Sequence, residues 1–91
     1  MMERRSKVTI LVDILRLINR KGKAKPTHIL YGANLSHVRL TKYLDALLAQ
    51  GFIERTTESS RTYYILTPKG LNFLREFKKV QELSDAFGVP I

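Results

Sequence analysis

The stretch Ser36 to Lys42 brings a hydroxyl, an imidazole, a branched aliphatic, a guanidinium, a second hydroxyl and an ammonium into two turns of chain. Leu40, Leu44 and Leu47 recur at helical spacing and define an inner face. On the same wheel Val38, Arg39, Thr41 and Lys42 point outward, and His37 falls at the margin. These residue types suit one chemistry well. Arg39 and Lys42 can donate to guanine O6 and N7 or to a phosphate, Thr41 can bond a base or a phosphate, and Val38 can pack on a thymine methyl. Ser36, as the N-cap, leaves backbone N–H groups near a phosphate. The same residues would also serve as an ordinary solvated face, and His37 fits a partly buried core-edge position. Lys23 and Lys25 stand just before the preceding helix, where phosphate contact is reasonable. Arg61, beside Ser59 and Ser60, is a candidate phosphate or minor-groove contact, and Arg55 a weaker one. Glu54 and Glu58 leave that region neutral.

Catalysis finds little to work with. The 91 residues hold no cysteine and only two histidines, His28 and His37. That excludes a disulfide framework, an iron–sulfur cluster, a cysteine-based zinc site and thiol chemistry. No carboxylate pair or Gly-rich phosphate loop is present, so the expectation is a non-enzyme with no catalytic residue, no metal and no cofactor. No apolar run spans a membrane, and the first seven residues are too polar for a signal peptide. The chain is expected to be cytoplasmic, with no membrane partner and no small-molecule substrate.

Sixteen Lys and Arg against eight Asp and Glu give a formal charge of +8, which favours a polyanionic partner. The excess is uneven. Arg4, Arg5, Lys7, Arg16, Arg20, Lys21, Lys23 and Lys25 face only Glu3 and Asp13 in residues 1–25, whereas the presumed outward helix contributes Arg39 and Lys42. Most of the charge thus suits non-specific attraction.

The positioning elements follow from periodicity. Ser6 caps an amphipathic helix to Lys21 with Val8, Leu11, Ile14, Leu15 and Ile18 inward, and Gly22 stops it. Lys23 to Pro26 is expected to be a basic loop. Thr27 is expected to cap a short helix from His28 to about Tyr31 that Gly32 ends or bends. A turn through Ala33, Asn34 and Leu35 leads to the helix capped by Ser36, which runs to Gln50 before Gly51. The period then changes. Residues 52–57 and 62–67 read as an antiparallel hairpin, and without Asn-Gly a four-residue tip at 58–61 is expected. Thr67 and Pro68 open a last helix that ends near Phe87. Tyr31 and Tyr43 fit the core or its edge better than base stacking; duplex DNA offers no unstacked bases, so exposed aromatics would instead favour a single-stranded partner.

Helix, short helix, helix, hairpin, helix is the order of a winged helix-turn-helix, mostly α with a small β-hairpin. The run Leu44-Asp-Ala-Leu-Leu-Ala-Gln-Gly-Phe-Ile-Glu-Arg55 has the helix end and strand start of such regulators. The segment Ile29-Leu-Tyr-Gly-Ala-Asn-Leu-Ser36, with Tyr43 and Tyr64-Ile-Leu-Thr-Pro-Lys-Gly70, resembles the small archaeal winged-helix DNA-binding proteins of the Sulfolobus ten-a type. The resemblance covers essentially the whole chain. It implies a homodimer on double-stranded DNA, joined by an antiparallel coiled coil of C-terminal helices, with a chromatin-associated or regulatory role. The terminal helix here is shorter than that of the best-known members.

The chain accordingly divides into a DNA-binding domain, residues 1–67, and a dimerisation helix, residues 68–91. In that helix Phe73, Phe77, Val80, Ser84 and Phe87 follow the 4-3-4-3 spacing of a short coiled-coil seam. The alternative is a helix folded back onto the first helix of its own chain. The functional expectation is a transcriptional regulator with the third helix in the major groove. The alternatives are an abundant architectural protein with little sequence preference, a winged helix used for protein contacts, and, more weakly, an RNA binder.

Overall fold

A computed structural model describes residues 6–88. The elements are α1 (Lys7–Lys21), β1 (Lys23–Ala24), α2 (Pro26–Gly32), α3 (His37–Ala49), β2 (Ile53–Glu58), β3 (Arg61–Leu66) and α4 (Pro68–Phe87). The three strands form one antiparallel sheet in the order β1-β3-β2. Helices and hairpin follow the expected order, and the winged-helix architecture is present.

Three helices start where hydroxyl caps place them. Ser6 accepts from the Thr9 amide at 3.1 Å, Ser36 from Arg39 at 3.3 Å and Thr67 from Gly70 at 3.0 Å. Each cap satisfies one of the amides that a helix start leaves without an intrahelical partner. α1 is the central helix, with Ile10, Val12, Ile14, Leu15, Leu17 and Ile18 all buried. One stripe meets the core, which Ile29, Leu40, Tyr43, Leu44, Leu47, Ile53 and Tyr64 complete. The flank carrying Arg16 and Asn19 lies along Leu71 and Leu74 of α4. Val8 was expected inward but is 42% exposed, a first-turn position on a flank that is covered only further along, at Val12.

Four local expectations are corrected. Lys23 and Ala24 are strand, paired with Ile65 and Tyr64 on β3, and Ala24 is fully buried. Two residues are too few to show an alternation of period two. α2 begins at Pro26, with Lys25 in the cap position and no side-chain cap bond, so Thr27 does not cap it. Proline at the first helical position has no N–H to satisfy, which lessens the need for a cap. The hairpin closes on two residues: Glu58 pairs with Arg61, and Ser59 and Ser60 both have positive φ, 49° and 64°. That is the left-handed pair a type I′ turn requires, and serine adopts it at a cost of roughly 1–2 kcal/mol per residue. Finally, Tyr31 is 80% exposed rather than in the core. The buried residue of α2 is Ile29, and two helical steps carry Tyr31 about 200° away from it.

Two glycines are fixed by close approach. A Cβ on Gly32 would lie 2.0 Å from Cδ1 of Leu17, so a side chain there would force the Leu17 tip to move. A Cβ on Gly70 would lie 2.1 Å from the Phe52 carbonyl oxygen. This seats the root of α4 against the α3–β2 junction. There the Gly51 and Phe52 amides donate to Leu48 and Leu47 carbonyls at 3.1 and 3.0 Å, with Gly51 at φ 75°. This is the paired pattern of a Schellman stop. The Thr67 hydroxyl donates to the Gly51 carbonyl at 2.6 Å, and Lys69 Nζ donates to the Gln50 carbonyl at 2.6 Å. Phe73 stacks on Phe52 with ring centroids 4.9 Å apart.

Candidate nucleic-acid interface

α3 presents its residues to solvent from a firmly held base. Leu40, Tyr43, Leu44 and Leu47 are buried, while His37, Val38, Arg39, Thr41 and Lys42 are exposed, Val38 at 79%. His37 lies on the open side, not at the core edge. Among the described residues neither Arg39 nor Lys42 takes part in an ion pair. Arg39 is steadied along its own helix. Its Nη2 donates to the Tyr43 hydroxyl at 3.4 Å, and its guanidinium carbon sits 5.9 Å from the Tyr43 ring centroid. Most of its five donors stay available. The Thr41 hydroxyl donates to the His37 carbonyl at 3.0 Å, so it faces outward as an acceptor. That suits the amino groups of adenine or cytosine better than an acceptor edge.

The wing is arranged differently. Strand alternation places Lys23, Glu54, Thr56, Glu58, Arg61, Tyr63 and Ile65 on its outer face and Ala24, Ile53, Tyr64 and Leu66 on the core side. Lys23 Nζ crosses the Tyr63 ring, 5.2 Å from its centroid, and donates to a carboxylate oxygen of Glu58. The bond to Glu58 holds the ammonium above the usual lysine range, so Lys23 is charged throughout the working pH range. Arg61 is exposed directly across the strand pair from Glu58. Arg55 extends over the Tyr64 ring, 5.8 Å from its centroid. Lys25 is half-buried at the start of α2.

Among the predicted site residues, Ser36, His37, Val38, Arg39, Thr41 and Lys42 share one exposed helix start. Lys23 and Arg61 are each linked to Glu58 at the wing, Lys23 by its side-chain bond and Arg61 by strand register, although 38 positions separate them in sequence. Sequence reasoning missed Glu58 as their common neighbour, because the link needs the unrecognised strand β1. It also missed the exposure of Tyr31, which the position of Ile29 on a helical wheel would have shown. Among the described residues no group of three His, Cys, Asp or Glu side chains is placed to hold a metal ion, and no helix is long and apolar enough to cross a membrane.

An outward N-capped helix followed at once by a two-residue hairpin defines a class, and comparison of the sequence agrees. The chain belongs to the winged helix-turn-helix family, whose model matches residues 4–85. Among solved structures it is similar to Sso10a-2, a DNA-binding protein from Sulfolobus solfataricus, with 33% identity, a TM-score of 0.73, and coverage of 92% of this chain and 90% of that one. It also shares the fold of the transcriptional regulator BldR from Sulfolobus solfataricus, at 19% identity and a TM-score of 0.74, over 87% of this chain and 60% of that one. Protein MJ0290 of Methanocaldococcus jannaschii is 35% identical over 80 residues, 88% of this chain. The chain spans 36% of the length of that curated relative and 56% of a second from the same organism.

Proposed function

We propose that the chain binds double-stranded DNA as a homodimer and acts as a transcriptional regulator, with α3 in the major groove and the wing on the adjacent backbone or minor groove. The observation that carries this reading is the open start of α3, where Val38, Arg39, Thr41 and Lys42 stand exposed and Tyr43 steadies Arg39. Such a mixture offers a methyl contact, an acceptor and two cations to a groove. His37 and Ser36 border it, and Lys25, Lys23 and Arg61 would serve as phosphate contacts. Sso10a-2 is described as DNA-binding and BldR as a transcriptional regulator, which supports the same role here. A binding module accounts for these features, and no catalytic step is needed.

The dimer rests on α4. Of the predicted seam, Phe73 and Phe77 pack within their own chain, Phe77 being only 9% exposed and 6.2 Å from Phe73 between ring centroids. The outer half differs. Val80, Leu83 and Phe87 are 51%, 60% and 74% exposed, with Ser84 half-buried nearby. A second copy of this helix would cover that face, while the inner half fixes its direction. Truncation after Lys79 removes the outer half and leaves Phe77 in place. Light scattering is expected to give a monomer, and a persistent dimer would place the interface elsewhere.

Duplex binding is tested by a mobility shift across salt. Log affinity is expected to fall linearly with log salt, with a slope of about −0.9 per phosphate neutralised. A shift that is absent or indifferent to salt rejects the reading. Because most of the charge lies outside α3, an architectural protein with little sequence preference is the second reading. Selection of bound duplexes from a random pool separates the two: an enriched motif supports the regulator, and none supports the architectural role.

A further inference from the structure

We propose that Glu58 occupies the place of a DNA phosphate in the free protein and is exchanged for one on binding. The inference rests on the duplex-binding reading above. Three facts lead to it. Lys23 comes from β1 and Arg61 from β3, yet Lys23 bonds the Glu58 carboxylate and Arg61 stands opposite Glu58 in the strand register at the wing tip. Both are cations otherwise suited to phosphate. The Lys23–Glu58 pair is also about half exposed on each side, at 48% and 51%, where water screens an ion pair and lets it exchange readily.

The geometry gives the exchange a direction. Lys23 Nζ lies over the Tyr63 ring, which favours an ammonium at the outer face of the sheet. A phosphate arriving at the wing finds an ammonium already oriented, but must displace a carboxylate from it. The displaced Glu58 then repels the backbone it has yielded to. The acid therefore lowers the non-specific part of the affinity and leaves the contacts of α3 untouched. Glu54 supplies a built-in control. It lies on the same outer face of β2, level with Ile65, and takes part in no ion pair among the described residues.

The test compares Glu58→Gln and Glu54→Gln, in the otherwise unchanged protein and in a Lys23→Gln background. Anisotropy of a labelled mixed-sequence duplex is followed over a range of KCl. Glu58→Gln is expected to steepen the log–log slope by about 0.9, one phosphate, which corresponds to about eightfold tighter binding near 0.1 M salt. Glu54→Gln is expected to do less, and Glu58→Gln to add no slope once Lys23 is gone. An equal effect of the two substitutions would mean only a general charge effect and overturns the proposal. So does weaker binding by Glu58→Gln, which would make Glu58 a support for Lys23. If the unmodified protein binds no duplex at all, the reading beneath the proposal fails with it, an outcome distinct from intact binding with an unchanged slope.

Discussion

The start of α3 and the tip of the wing carry similar cations in opposite states. Arg39 and Lys42 stand open on the helix, and Tyr43 steadies the Arg39 guanidinium. Lys23 is matched to an acid within the same chain, and Arg61 lies across from that acid. A basic residue therefore contributes to association according to what it must leave, as well as what it meets. Counting charge along the sequence treats the two regions alike. The fold distinguishes them: among the described residues the helix cations take part in no ion pair, whereas Lys23 is already bonded to Glu58.

The sharpest way to break that contrast is to remove the open cations together. Arg39→Ala with Lys42→Ala is expected to weaken duplex binding about 60-fold near 0.1 M salt, if each neutralises one phosphate. Lys23→Gln alone is expected to cost only a few-fold in the same anisotropy titration, and equal losses would erase the difference between the regions. Gly70→Ala disturbs the base of the wing, at the opposite end of α3 from its exposed start. Its Cβ would meet backbone, the Phe52 carbonyl, and the expected loss is about 1–3 kcal/mol of stability. Thermal unfolding measures it, at roughly 4–8 °C in Tm per kcal/mol. Thr67→Val strips both the Gly70 amide and the Gly51 carbonyl of their partner, for about 1–2 kcal/mol by the same measurement. The smallest effect tests how Arg39 is held. Tyr43→Phe keeps the ring and removes one long hydrogen bond, and is expected to weaken duplex binding by roughly 0.5 kcal/mol, near twofold.

How much of this was legible depends on where each signal resides. Ser6, Ser36 and Thr67 were readable because a hydroxyl before a periodic run acts locally, on an amide three residues away. The open face of α3 was readable for the same reason, since Leu40, Leu44 and Leu47 fix its opposite. β1 was not, because Lys23 and Ala24 become strand only through pairing with residues some forty positions onward. The tight serine turn was missed because Ser59 and Ser60 accept left-handed backbone without being the residues that prefer it. Phe77 carried an ambiguity that spacing cannot resolve. An apolar residue in a seam pattern faces whichever partner lies nearer, and here that is its own chain.

The seating of α4 on the Phe52 carbonyl has a mechanical side. Gly70, Thr67 and Lys69 anchor its root beside the first strand of the wing, and the inner half stays packed as far as Phe77. The part that projects, from Phe77 to Phe87, is a lever of about 15 Å, and a tilt of 10° would sweep its tip through about 2–3 Å. A load applied near Phe87 would therefore bear first on the packing around Phe77 and reach the root of the helix only through it.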